Sequence, residues 1–281
     1  MYKKATWEYG NTIEIKKYHT FGYPQKGISR KKSVDKSEEE IRKRKEKFRR
    51  YNEQQANKEL ERTLAANFTE EDFHCVLTYR EAPEIEEDKR IFKNFLQRLR
   101  RFYTSQGAVL KFVAVVEQEA KRIHHHIVCN GIKGINMARE LNRIWGQGGV
   151  HLTPLYEDRD YKGLAEYLVK ETRRTFQKED RKVKQRYTCS RNLVRPEPVI
   201  KIIAAEHWSD TINVPKRLEE KGYYLDRDSI REYEDWAGYM NVEYKFIKLS
   251  PRELQREKKR AQQVERYITK FLKKGRSISQ A

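Results

Sequence analysis

The chain has 281 residues, and its 61 lysines and arginines against 42 aspartates and glutamates give a formal net charge of +19. A positive excess of this size attracts polyanions, of which nucleic acid is the commonest. The sequence has no apolar run near the roughly 18 residues that span a bilayer, no apolar signal segment at its start, and three widely spaced cysteines without a CxxC motif. Composition therefore excludes a membrane protein and a disulfide-rich secreted protein, and it predicts a cytoplasmic protein that binds nucleic acid.

The first segment, residues 1–36, is basic and aromatic and is interrupted by glycines and a proline, which predicts an irregular arm. A long helix is expected from Ser37 to about Asn67, because Ser37 and Glu40 have the spacing of a capping box. Its apolar positions are sparse, so most of the helix should be solvated. Two interpretations stay open: a solvated charged helix, or an arm that contacts phosphates through Arg42, Lys43, Lys45, Arg49 and Arg50.

Dense apolar segments occur only in the middle of the chain, in residues 72–171. Their periodicity predicts strands at 74–80, 110–117, 123–130 and 150–155, and helices at 87–103, 136–145 and 160–172. The order βαββαβ, followed by one more helix, is that of a ferredoxin-like or RRM-like antiparallel sheet with helices on one face, an α+β fold. The other face of the sheet would then be open to a substrate.

The last part of the chain begins with a basic stretch after Thr172, and two later segments, 223–226 and 242–249, could pair as strands. The tetrapeptide Ser-Pro-Arg-Glu at residue 250 predicts the start of a final helix with one apolar stripe. We therefore expect three regions: a basic N-terminal arm and helix at 1–70, a core at 71–200, and a C-terminal extension at 201–281 that ends in an amphipathic basic helix.

Three consecutive histidines, His124, His125 and His126, lie within one predicted strand. Because alternate residues of a strand share a face, His125 should face the helices while His124 and His126 lie side by side on the open face. Two adjacent imidazoles can bind one divalent metal ion, and an added carboxylate favours Mn²⁺ or Mg²⁺. Glu117 supplies that carboxylate if it pairs with His124, whereas a slip of one residue would make Glu119 the candidate. The other histidines are interpreted as ordinary polar residues: His19, His74, His151 and His207.

The helix expected at 160–172 carries two tyrosines on different faces. Tyr161 belongs to an apolar stripe with spacings i, i+3, i+4 and i+7. Tyr167 lies about 110° from the centre of that stripe, so its phenol can reach a site beside the core. Lys170 is its neighbour three residues on, where it can lower the pKa of the phenol or hold a phosphate against it. A YxxK spacing alone is more often a chance surface pattern.

Together these features resemble the HUH superfamily of enzymes that nick single-stranded DNA, and especially the rolling-circle replication initiators of phages, plasmids and integrated mobile elements. The resemblance covers about residues 45–200, so that the 71–200 core would be an HUH endonuclease domain. The segment from Tyr187 to Leu193 with Pro196 is also similar to a stretch of such initiators. Three motifs occur in the family order: Val76-Leu77-Thr78-Tyr79, the pair His124 and His126, and Tyr167 with Lys170.

The resemblance implies a metal-dependent DNA endonuclease and strand transferase that nicks and rejoins single-stranded DNA at a replication origin. It implies that one Mn²⁺ or Mg²⁺ ion is held by His124, His126 and Glu117. Tyr167 would attack the phosphorus, release a 3′-hydroxyl and form a 5′-phosphotyrosine link, with Lys170 steadying the tyrosine and the phosphate. The residues expected to bind DNA are Thr78, Arg173, Arg174 and Arg191.

The chain departs from the family in three respects. His125 occupies a position that is usually hydrophobic, the third motif has a single tyrosine, and no GxxxxGK[ST] loop is present, which implies a host helicase as partner. One alternative is a relaxase or a single-strand transposase of the same chemistry, although relaxases tend to have a third histidine where this chain has Glu117. A second alternative is a non-catalytic module that binds single-stranded nucleic acid, although such folds usually present stacked aromatic residues.

Overall fold

The computed structural model describes residues 1–20, 37–119, 122–156, 160–172, 187–204, 212–234 and 238–249. The chain divides into two compact units, the larger formed by residues 23–197 and the smaller by residues 1–22 together with 198–281. Each unit contains one five-stranded antiparallel sheet. The mixture of sheets and helices confirms the predicted α+β class. In the part of the chain that the structure describes, no helix combines the length and the apolar character needed to cross a membrane.

The elements between residues 74 and 172 follow the predicted order, and their ends differ from the prediction by no more than two residues. In chain order the described elements are β1 (Tyr2–Tyr9), β2 (Thr12–His19), α1 (Glu38–Asn67), β3 (Phe73–Thr78), α2 (Ile85–Ser105), β4 (Phe112–Glu119), β5 (Arg122–Cys129), α3 (Met137–Trp145), β6 (Val150–Pro154), α4 (Lys162–Glu171), β7 (Thr188–Cys189), β8 (Val199–Ile203), α5 (Lys216–Glu219), β9 (Tyr223–Glu234) and β10 (Met240–Lys248).

The larger unit is built on the sheet β6-β3-β5-β4-β7, in which β5 lies between β3 and β4. Without the short β7 edge, this is the strand order of a ferredoxin-like βαββαβ fold. Helices α2 and α3 pack on one face, because α2 buries Phe95 and Leu99, and α3 buries Leu141 and Trp145 in one apolar core with the sheet. The central position of β5 places the three histidines in the middle of the unit.

The second face of this sheet is not open, so the expectation of an uncovered face was wrong. Helix α4 packs beside β4 and against α1, and the hydroxyl of Tyr161 donates to the carbonyl of Phe68 at 3.4 Å. The reason is that the end of α1 and the stripe of α4 are apolar and must be buried, as Leu60 and Leu168 show. What stays accessible is the end of the sheet near Glu117.

Helix α1 starts with the predicted capping box, in which Glu40 N donates to Ser37 Oγ at 3.3 Å and Ser37 N donates to the Glu40 carboxylate at 3.2 Å. Its first part is solvated, and Phe48 and Tyr51 are exposed. Glu46 forms ion pairs with two arginines one turn further along the helix, Arg49 and Arg50. The exposed basic surface is compatible with both interpretations of this helix.

The smaller unit is built on the sheet β8-β1-β2-β10-β9. The irregular arm predicted for residues 1–36 was wrong over β1 and β2, which form a hairpin around Gly10 and Asn11. Gly10 has a φ of +50° at this turn, which explains why a two-residue Gly-Asn loop suits the hairpin. The pairing expected between 223–226 and 242–249 is confirmed by β9 and β10. Residues 21–36, and the final helix expected from residue 250, lie outside the described residues.

Candidate active site

The hairpin of β4 and β5 brings the predicted metal ligands together. Its register places Glu117 directly opposite His124, as the sequence predicted, while Glu119 pairs with Arg122. The carboxylate oxygen Oε2 of Glu117 lies 3.0 Å from Nε2 of His126 and 3.6 Å from Nδ1 of His124. One carboxylate oxygen therefore faces both imidazoles.

A fourth side chain, His74 of β3, joins this group, although the sequence had suggested only an ordinary polar residue. Its Nε2 lies 3.4 Å from Nδ1 of His126, and the two rings stack with centres 5.6 Å apart. Burial lowers the pKa of both imidazoles to about 4, so both are neutral near pH 7. The contact between His126 and Glu117 is therefore a hydrogen bond of a neutral imidazole. A chain of hydrogen bonds then runs from His74 through His126 to Glu117.

Tyr167 of α4 lies beside this chain of hydrogen bonds. The edge of its ring contacts His126, with centres 5.3 Å apart, and also His74, at 6.3 Å. Tyr167 is 41% exposed whereas Tyr161 is fully buried, which confirms that the two tyrosines occupy different helical faces. Burial, then the carboxylates of Glu171 and Glu117, raise the pKa of Tyr167. Lys170 is exposed on the same helix.

Glu171 lies one helical turn beyond Tyr167 and was missed by the sequence analysis, although its i+4 spacing places it on the same face. Burial and a hydrogen bond with the Glu117 carboxylate raise the pKa of Glu171, while the charge of Lys170 acts in the opposite direction. The phenol is thus surrounded by two carboxylates and two imidazoles. Such a cluster favours cations, and it leaves the phenol protonated at rest.

The donor set was compared with the needs of a divalent ion. Among the residues that the structure describes, no three His, Cys, Asp or Glu side chains already form a metal cluster, because these donors hydrogen-bond to one another. Their spacing is suitable, however, since neighbouring ligands at about 2.1 Å from an octahedral ion lie about 3 Å apart. The gaps of 3.0 and 3.6 Å from Glu117 to the two imidazoles are near that value. Neutral imidazoles and a carboxylate thus fit a divalent ion once it replaces their mutual hydrogen bonds.

His125 faces the helices, as the alternation of the strand predicted, and it is fully buried. Its Nε2 lies 2.7 Å from the Asp88 carboxylate of α2, which also accepts a hydrogen bond from the Tyr79 hydroxyl at 2.8 Å. Its ring stacks on Phe92 with centres 4.1 Å apart, and its Nδ1 is buried without a partner. A histidine is tolerated at this usually hydrophobic position because Asp88 satisfies one of its nitrogens.

The residues expected to bind DNA are placed differently from one another. Thr78 ends β3 directly opposite His124, and its hydroxyl donates to the Gly149 carbonyl at 3.3 Å, so it lies beside the site. Arg191 is exposed in a turn held to Phe112, at the opposite end of β4 from Glu117, and the structure does not bring it to the site. Two further candidates lie outside the described residues: Arg173 and Arg174.

Comparison with known proteins places this site in a family context. Residues 72–188 match the model of a family of replication-associated proteins, described as the ORF2 type. The matched segment extends from the start of β3 to β7 and contains every side chain of the candidate site. The match confirms the resemblance to replication initiators of the phage and plasmid type and supports a role in replication initiation. No curated protein and no solved structure gave a match.

Proposed function

We propose that this chain is a site- and strand-specific endonuclease that nicks and rejoins single-stranded DNA to start rolling-circle replication. The observation that carries the proposal is the contact between the half-exposed ring of Tyr167 and His126, whose other neighbour is Glu117. A nucleophile and a set of metal-ligand side chains thus adjoin within the segment that matches the replication-associated family.

The metal ligands in this proposal are His124, His126 and Glu117. A bound Mn²⁺ or Mg²⁺ ion would act as a Lewis acid on the scissile phosphate. To coordinate through Nε2, His126 must keep its proton on Nδ1, and His74 Nε2 at 3.4 Å is placed to accept that proton in a hydrogen bond. Such a partner fixes the tautomer and orientation of a ligand histidine.

The covalent step is assigned to Tyr167. Its Oη forms a bond to phosphorus as the bond from phosphorus to the 3′-oxygen breaks, so the phenol loses a proton and the 3′-oxygen gains one. Glu171 is our candidate to accept the phenol proton, since it lies one turn away and its charge acts on the phenol. Lys170, exposed on the same helix, supplies positive charge for the phosphate. Attack of the 3′-hydroxyl on the phosphotyrosine reverses the reaction and restores the DNA strand.

His74 also bears on the alternative of a relaxase, because it adds a third imidazole to the cluster. It lies on the Nδ1 side of His126, whereas Glu117 lies on the Nε2 side. This placement suits an orienting partner and leaves Glu117 as the third ligand, which favours the replication initiator. In either use of the chemistry, a host helicase would separate the strands, because the sequence has no phosphate-binding loop.

The proposal is tested by covalent capture of labelled single-stranded DNA that includes the element's own origin strand. With Mn²⁺ the full chain should give a detergent-resistant protein–DNA band that a chelator abolishes. Tyr167→Phe should abolish the band and leave non-covalent binding nearly intact, while the control Tyr161→Phe keeps the band in any protein that remains folded. Attachment at Tyr161, or tight binding of the origin strand without a band, would contradict the proposal, and the second result would favour a non-catalytic binding module.

A further inference from the structure

The sheet of the smaller unit carries three lysines in one row across three neighbouring strands. Lys4 of β1 is directly opposite Lys17 of β2 on one side and Lys201 of β8 on the other. Residues directly opposite each other share a face, so the three side chains project from the same face of the sheet. Because strands lie about 4.8 Å apart, the row extends over roughly 10 Å.

This row is unfavourable for the isolated protein. Like charges that are directly opposite destabilise a sheet, and in the described parts of the chain no carboxylate forms an ion pair with Lys4 or Lys201. Partial burial and the charge of Lys201 lower the pKa of Lys4. A bound polyanion would relieve this repulsion, since it would give each ammonium group a partner.

An aromatic row lies next to the lysines on the same face. Tyr2 and His19 are opposite each other, two residues from Lys4 and Lys17, and their rings are 5.2 Å apart. Tyr239 stacks on His19 with ring centres 3.6 Å apart, and it is 40% exposed. Two residues along a strand separate the rows by about 7 Å. A row of cations beside a row of rings is the combination that binds unpaired nucleic-acid strands.

We propose that this face of the smaller unit binds single-stranded DNA, with phosphates along Lys201, Lys4 and Lys17 and bases on the adjacent rings. The surface lies outside the segment that matches the replication-associated family. The proposal rests on the proposed function only in taking DNA as the polyanion. A single strand is required because the faces of bases are available for stacking only when the bases are unpaired.

The test compares two double variants of the full chain, each made with Tyr167→Phe and assayed with a chelator so that only non-covalent binding is measured. Lys4→Gln with Lys201→Gln removes two charges from the row. The matched control, Lys216→Gln with Lys221→Gln, removes two exposed charges elsewhere in the same unit. For a labelled single-stranded oligothymidine, the row variant should bind roughly tenfold more weakly, and its salt slope should fall by about 1.4, since each phosphate contact contributes about 0.7. The control should keep the parental slope.

Three outcomes would overturn the proposal: equal losses in both double variants, equal losses for duplex and single-stranded DNA, or unchanged binding by the row variant. Thermal unfolding verifies that the variants are folded, and the exposed Lys201→Gln alone replaces the double variant if it is not. Covalent capture in the Tyr167 background separates this proposal from the proposed function. Loss of salt dependence without any capture would sustain this surface and contradict the nicking activity, while capture with unchanged binding would do the reverse.

Discussion

His125 and His126 are neighbours on β5, yet the two faces of the sheet give them different partners. Both side chains are almost completely buried, with 0% and 2% exposure. His125 meets Asp88, which is itself buried and also bonded to Tyr79. His126 meets Glu117, which is 16% exposed. Burial alone therefore does not distinguish a structural histidine from a ligand candidate, whereas the accessibility of its partner does.

The helix face is closed and the site face can exchange partners. Asp88 is held by two buried donors and has no access to a ligand. Glu117 is shared among two imidazoles and the carboxylate of Glu171, at the accessible end of the sheet. We therefore expect substitutions on the helix face to change stability and substitutions on the site face to change metal binding.

Asp88→Ala should have the largest effect, because it leaves both the His125 imidazole and the Tyr79 hydroxyl buried without their shared acceptor. We expect a loss of about 3 kcal/mol in the free energy of unfolding, measured by urea denaturation. Glu87→Ala is the matched control, since Glu87 lies on the same helix in an exposed pair with Arg90, and its loss should stay below about 1 kcal/mol. Similar losses in the two variants would mean that the helix-face network does not stabilise the fold.

Glu117→Ala should change binding and leave stability nearly intact. Because it removes a proposed ligand, we expect the affinity for Mn²⁺ to fall about 100-fold, at or above the upper end of the range for outer partners of a metal. The free energy of unfolding should change by about 0.5 kcal/mol or less, since relief of repulsion with Glu171 offsets the lost hydrogen bonds. Titration of the full chain with Mn²⁺ without DNA measures the first quantity, with Glu140→Ala on α3 as control. Unchanged affinity would remove Glu117 from the ligand set.

The same contrast separates what the sequence could predict from what it could not. Local periodicity is sufficient for the βαββαβ core, and the β4–β5 hairpin makes the pairing of Glu117 with His124 a local property. His74 could not be found in this way, because it reaches His126 through the pairing of β3 with β5, which are distant in the chain. Glu171 had a usable signal in its i+4 spacing from Tyr167.

The hairpin β1–β2 was missed for a different reason. Its strands alternate around a Gly10-Asn11 loop, a recognised hairpin signal, but the lysines distributed along both strands favoured an exposed arm. Several of these lysines share one face of a sheet instead of lying on a flexible segment. High charge therefore obscured strand periodicity in the smaller unit, whereas the apolar segments of the larger unit made its strands evident.

His74→Phe should have the smallest effect and tests the finest part of the contrast between the two faces. Phenylalanine can keep the stacked ring beside His126 but cannot accept a hydrogen bond from Nδ1, so the ligand tautomer loses its partner. We expect about tenfold weaker Mn²⁺ binding, the lower end of the range for such partners. His151→Phe, at an exposed position of β6, is the control and should bind Mn²⁺ normally. Equal affinity in the two variants would show that His74 does not orient His126, and that only His124, His126 and Glu117 define the site.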